Sequence, residues 1–193
     1  MKRLLTILIL IFSFQSPSQA DDIRDFQIEG ISVGDSLLDY FSKKRINERL
    51  KITKSTYTSK RILRAYFMLE KYETYPILNI HFKNDNKFTV ESIAGFRKYN
   101  RNNIKDCYAE QREVLADLKN IFPNINQHGT VDKIHKYKKA GKGTYTRVGF
   151  KLPSGNIRTE CRKWGKTIKY ASGLNIILST NSYMDWLRNE AYK

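Results

Sequence analysis

Asp25 to Tyr40 reads DFQIEGISVGDSLLDY, and the reading of this stretch decides the fold. As backbone chemistry it is local. Phe26 and Ile28, then Ile31 and Val33, form an alternating apolar run broken at Gly30. That is the pattern of a short edge strand with a bulge or turn at the glycine. Gly34 ends the strand. Asp35 and Ser36 carry short oxygen side chains able to accept from the free N–H groups of a helix's first turn. Leu37, Leu38, Tyr40 and Phe41 follow as an apolar cluster. The expectation is strand, glycine turn, N-cap and short helix.

Gly34-Asp35-Ser36-Leu37 also resembles the motif of the GDSL (SGNH) hydrolases. That resemblance implies an esterase with Ser36 as nucleophile, a D-x-x-H block as acid and base (here Asp132-Lys133-Ile134-His135), and a parallel sheet built from βαβ units. The rest of the chain departs from the pattern. The family's G-x-N-D block needs glycine at position 82, two residues before Asn84-Asp85, and Phe82 stands there. The D-x-x-H block falls well short of the C-terminus. Gln27 and Glu29 suit poorly a strand buried on both faces. A motif counts only in its structural context. The cap reading is preferred, and the esterase with Ser36 as nucleophile stands as the alternative.

Residues 1–20 read as an export signal. Lys2 and Arg3 are the positive start, Leu4 to Phe14 is an apolar run too short to span a bilayer, and Ser18-Gln19-Ala20 is a small-x-small cleavage site. Cleavage between Ala20 and Asp21 leaves a single domain, residues 21–193. No cysteine sits at the cleavage point, which argues against a lipid anchor, and no later run approaches transmembrane length. The expected location is the periplasm of a Gram-negative cell, or the exterior. The whole chain carries a net charge of +16. Such a charge speaks for attraction to polyanions and for solubility, not for a fold.

From Ile62 the period is two: Leu63, Ala65, Phe67 and Leu69 face one way, Arg64 and Tyr66 the other. Leu78, Ile80 and Phe82 alternate with Asn79 and His81. Asn84-Asp85-Asn86 is a turn, and Phe88 and Val90 resume the alternation as a hairpin. A phase shift near Gly95 suggests a bulge. Ile104 to Phe122 is the longest helix, with Ile104, Cys107, Gln111, Val114, Leu115 and Leu118 on one face. Gln127 to Gly143 reads as a basic loop. Strands return with Thr146, Val148, Phe150 and Leu152, then Ile157, Thr159 and Cys161 alternating with Arg158, Glu160 and Arg162, then Leu174, Ile176 and Leu178. Thr180 or Asn181 caps a last helix. Three strands, helix, three strands, helix predicts an α+β domain: an antiparallel sheet of about six strands in two three-strand runs, with helices packed on one face.

Neither glycine-lysine pair makes a phosphate loop. Gly165-Lys166-Thr167 lacks the required glycine at 160, which is Glu160, and Gly141-Lys142 is followed by Gly143. His128, Asp132 and His135 have helical metal-ligand spacing but lie in the loop segment, and no metal or other cofactor is expected. Lys133, Lys136, Lys138, Lys139 and Lys142 form the candidate polyanion-binding cluster, with anionic envelope components as the expected partners. Trp164 lies on the outward Arg158/Arg162 side, where it would sit partly under a loop or stack on a sugar or base.

The mature chain resembles an uncharacterised family of small exported bacterial proteins. Its members open with I-x-G-I-S-x-G-D-S-L-L-x-Y (here Ile28 to Tyr40), carry N-I-x-x-C-Y (Asn103 to Tyr108), and close with a W-L helix (Trp186-Leu187). Their second cysteine is usually followed by Tyr-Asp-Trp; here Cys161 is followed by Arg162, Lys163 and Trp164. The resemblance implies one domain and a cysteine pair, and no activity. The residues point the same way. Cys107 and Cys161 are the only cysteines. An export signal would deliver them to an oxidising compartment, and the apolar helix face carrying Cys107 should meet the Ile157/Thr159/Cys161 side of its strand. A Cys107–Cys161 disulfide is therefore expected. For function the sequence points to a non-catalytic binding or structural role in the cell envelope.

Overall fold

The computed structural model describes residues 22–53, 57–69, 74–137 and 142–193. The cleavage site at Ala20 and Asp21, and Lys138 and Lys139 of the basic cluster, lie outside them. Helix α1 (Lys43–Ile52) precedes a first run of strands: β1 (Ile62–Met68), β2 (Ile77–Lys83) and β3 (Val90–Lys98). Helix α2 (Ile104–Ile121) leads to β4 (Gln127–His128) and β5 (His135–Lys136). The second run is β6 (Gly143–Lys151), β7 (Gly155–Trp164) and β8 (Gly173–Thr180), followed by α3 (Asn181–Asn189).

Among the described residues these eight strands form one sheet in the order β1-β2-β3-β8-β7-β6-β4, with β5 also on β6. Every pairing is antiparallel. The count exceeds the expected six because β4 and β5 are two residues each, inside the segment that reads as a loop. Two residues cannot display an alternation, so they leave no periodic signal.

The two runs join through β3 and β8 because their apolar rows line up. Ala65, Ile80, Ile93, Leu178, Ile157 and Phe150 stand side by side across six strands, and all are buried. Helix α2 covers the β7–β8 part of this first face with Ile104, Cys107, Leu115 and Leu118. Cys107 is disulfide-bonded to Cys161, with their Cα atoms 6.0 Å apart. Gln111 is fully buried beside it. Its amide donates to Thr159 Oγ1 at 3.0 Å and accepts from Thr146 Oγ1 at 2.7 Å, so a polar residue on an apolar helix face is satisfied by two strands.

The β1–β3 part of the same face is covered by the N-terminal segment. Glu29 and Gly30 have φ of 53° and 81°, and Ile28 and Ile31 exchange backbone hydrogen bonds at 3.0 and 3.1 Å. This is a tight turn of the type that needs positive φ at both central positions, not an extended edge strand. Ile28 lies over Gly95, where a Cβ would meet Ile28 Cγ2 and the Tyr75 ring at 2.8 Å. Gly95 is thus a space for packing and stays in register opposite Leu78. The bulge falls earlier, at Glu91, between the Ser92–His81 and Val90–Phe82 pairs.

The GDSL string is a clasp. Gly34 N–H donates to Val90 O at 2.7 Å, Val90 N–H to Asp35 O at 2.9 Å and Leu37 N–H to Phe88 O at 3.3 Å. Neither Asp35 nor Ser36 caps a helix, and the expected helix is one 3₁₀ turn, Leu37–Asp39. Backbone groups that would need capping already bond to the start of β3. Leu37 and Phe41 are buried, and Phe41 stacks on Phe67 with centroids 4.1 Å apart.

Helix α3 corrects the expectation that the helices share one face. Tyr183 lies 5.0 Å from the His81 ring, on the face opposite α2, and joins Trp186, Ala191 and Ile62 in a second apolar cluster. It follows β8 without a loop, Thr180 Oγ1 accepting from Tyr183 N–H at 3.0 Å, so it cannot swing round the sheet edge. Among the described residues no helix is long and apolar enough to cross a membrane.

Candidate functional site

The second sheet face is only partly covered by α3, and what it leaves open is polar, basic and aromatic. Strand alternation places Arg158, Glu160, Arg162 and Trp164 of β7 on this face. Register sets Asn175 of β8 beside Glu160, Phe96 of β3 beside Asn175, and Arg147 of β6 beside Glu160 on its other side. On the far strands, Tyr66 pairs with Asn79, and Arg64 with His81.

Glu160 is 1 % exposed. Arg147 Nε donates to its Oε1 at 2.6 Å and Arg162 Nε to its Oε2 at 2.8 Å. Arg158 Nε lies 3.0 Å from Oε1 but has no directed acceptor. Burial pushes the Glu160 carboxyl upward in pKa; the three guanidinium groups outweigh it and hold the group below its usual value. Burial pulls the Arg158 guanidinium below its usual value, against the opposing pull of Glu160. A fourth guanidinium, Arg64, spends its Nε on Asn79 Oδ1 at 3.1 Å and sits 4.5 Å from the Tyr66 ring centroid. Among the described residues Arg64 meets no carboxylate. Three guanidinium groups therefore share one carboxylate, and Arg64 stands on the same face without one.

Between them runs a trough. Its main part, about 370 Å³, is lined by Arg64, Tyr66, Asn79, Phe96, Arg162, Trp164, Tyr170 and Asn175. A smaller inner hollow of about 130 Å³ shares Asn79, Arg162 and Asn175 and ends against Tyr183, Met184 and Leu187 of α3. At the other end Tyr170 borders an open basin of about 690 Å³ carrying Lys98, Arg101, Lys166 and Lys169. Trp164 stacks on Tyr137 at 4.7 Å and meets Tyr170 edge-on at 5.5 Å. Expected partial burial and an open-face position are thus both realised at Trp164.

His81 lines the inner hollow. Its Nε2 is 3.1 Å from Tyr57 Oη, and its Nδ1 is buried without a partner among the described groups. Burial, aided by Arg64, pulls the imidazole down from 6.5 to about 3, so it is neutral at physiological pH. Tyr183, hydrogen-bonded to Tyr57 and buried, is pushed well above the usual phenol range by that burial.

The other candidate residues do not converge. Ser36 Oγ donates to Lys87 O at 2.9 Å, Asp132 pairs with Arg112 at 3.2 Å, and His135 stacks on Tyr145 at 5.2 Å. Among the described residues no hydrogen-bonded chain links Ser36 to His135, and no group of His, Cys, Asp or Glu could hold a metal ion. Lys133 and Lys136 are exposed on the loop and on β5, and Lys142 O accepts from Gly165 N–H at 3.0 Å, next to the basin's rim. The sequence reading missed the arginine group. Arg158, Glu160 and Arg162 at alternate positions were its visible signal, but Arg64 joins them only through the β3–β8 pairing. Comparison with protein-family models, with curated proteins and with solved structures finds no match.

Proposed function

We propose that this is an exported, non-catalytic binding protein of the cell envelope whose open sheet face takes an anionic ligand. One observation carries the reading: Arg64 and Arg162 line the trough, Arg158 and Arg162 line the inner hollow, and the carboxylate beside them, Glu160, is already held by Arg147, Arg158 and Arg162. Neutralising Glu160 requires one arginine. Holding further cations partly out of water is unfavourable unless an anion completes the balance. Guanidinium also suits a carboxylate or phosphate because it donates two parallel N–H groups. The disulfide agrees with an oxidising compartment, and anionic envelope components remain the partner class. Ser36, occupied by the Lys87 carbonyl, lends the esterase reading no support.

The test is a thermal-shift and calorimetry panel with phosphate, sulfate, citrate and galacturonate. The reading expects at least one oxyanion to raise the melting temperature, with an effect that falls as salt is added and is lost in Arg64→Ala. Equal small effects from every anion, unchanged in Arg64→Ala, would contradict it.

A further inference from the structure

We infer that the inner hollow seats the carboxylate of a small organic acid between His81 and Arg158; this rests on the anion-binding reading above and names its ligand class. Among the described residues three buried side-chain polar atoms lack a hydrogen-bond partner: His81 Nδ1, Gln127 Oε1 and Arg158 Nε. Two of the three belong to residues that line this one hollow of about 130 Å³. Buried polar groups are nearly always satisfied, so each orphan requires an explanation, and two in one place point to a group that they share. His81 is 7 % exposed. Roughly 10–15 Å³ suffices for one water, so the hollow has room for a carboxylate.

The chemistry of the two orphans selects the ligand. A guanidinium is a donor only. Arg158 Nε stands 3.0 Å from Glu160 Oε1, but that carboxylate already accepts from Arg147 Nε and Arg162 Nε. Burial keeps the His81 imidazole neutral, with a single proton. Tyr57 Oη lies 3.1 Å from its Nε2, and a hydroxyl can donate there, which leaves the proton on Nδ1. The pair then offers one cationic and one neutral donor, and no carboxylate lines the hollow. That set fits a singly charged group with two acceptor oxygens, one for each donor. A doubly charged phosphate would bring more negative charge than Arg158 offsets. Tyr183, Met184 and Leu187 line the hollow from α3, and in such low-dielectric surroundings each hydrogen bond is stronger. The hollow borders the trough through Asn79 and Arg162, and the hollow beside His128 through Arg158 and Met184. Either neighbour, of about 370 or 300 Å³, leaves space for the rest of a small acid, so the assignment does not depend on the side of entry.

The test is calorimetry and nuclear magnetic resonance at neutral pH with acetate, benzoate and galacturonate, beside phosphate, sulfate and methylphosphonate. At least one carboxylate should bind saturably, one per chain, and more tightly than phosphate, sulfate or methylphosphonate. Its binding should move the His81 Nδ1 signal, at the position of a protonated nitrogen, and the Arg158 Nε–H signal. His81→Leu should weaken that carboxylate tenfold or more, the scale of a lost hydrogen bond to a charged group. His81→Asn, which keeps an N–H donor, should recover most of the affinity. The signals of the natural chain decide even where a variant fails to fold. Binding that leaves either signal unmoved, or a folded His81→Leu that binds like the natural chain, would overturn the seating in this hollow and leave anion binding standing. Phosphate, sulfate or methylphosphonate bound as tightly as the carboxylates would overturn the carboxylate assignment, again without touching anion binding. No binding of any of these anions would overturn both.

Discussion

Two buried side chains give the sheet face a pH signature. His81 has a folded-state value near 3 against 6.5 when unfolded. Below pH 6.5 the unfolded chain takes up a proton that the folded chain refuses, so stability falls as pH drops, by about 1.4 kcal/mol per pH unit until the folded value is reached. Urea midpoints between pH 7 and pH 4 should show this slope in the natural chain and a flatter one in His81→Leu. Glu160 acts lower. Its folded value lies below the usual 4.5, so its contribution is present above that pH and is lost as pH falls further. Glu160→Gln leaves Arg147, Arg158 and Arg162 facing one another, and breaking a buried pair from one side costs roughly 3–5 kcal/mol. A denaturant midpoint within error of the natural chain would show the group to be solvated after all. At this scale the sequence was informative where alternation sufficed: the side on which Trp164 and Arg162 lie follows from their strand. The neutral state of His81 does not, because it depends on Tyr183, brought over it by α3.

The elements fall into two kinds. Those with a sustained period, β1 to β3, β6 to β8, α2 and α3, were legible in the sequence nearly to their ends. Those defined by partners were not. The Asp25–Tyr40 segment has strand-like and cap-like residues, yet its backbone bonds go to β3 and its turn needs Glu29 and Gly30 at positive φ. The side of the sheet that α3 takes is equally invisible in its own pattern. Three predictions belong here. The disulfide pins α2 to β7 across 54 residues, for which chain entropy suggests roughly 4 kcal/mol. Cys107→Ala/Cys161→Ala should therefore melt well below the natural chain, and the unreduced, unfolded protein should titrate no free thiol. Gly95→Ala should lower stability by about 1–3 kcal/mol, because the added methyl displaces Ile28 or Tyr75 from the sheet. Ser36→Ala, which loses one hydrogen bond, should cost only about 1 kcal/mol and leave anion binding unchanged.

For the whole molecule, the net charge of +16 directs attention to the surface lysines, and the basic loop was the natural candidate. The fold distributes that charge differently. It closes one sheet face with α2 and the N-terminal clasp, and gathers guanidinium groups from β1, β6 and β7 on the other, beside an aromatic wall that leads to a lysine-lined basin. A diffuse field would attract any polyanion weakly; a lined trough selects by shape. Nuclear magnetic resonance that reads arginine Nε–H and backbone amide signals together separates the two. The Nε–H signals of Arg64, Arg158 and Arg162 are followed while galacturonate oligomers are added at physiological salt. Saturable shifts at these three arginines, with a common dissociation constant, are the result expected. Shifts confined to the Lys133–Lys142 segment, with the three arginine signals unmoved, would contradict the assignment of the ligand site to the open sheet face.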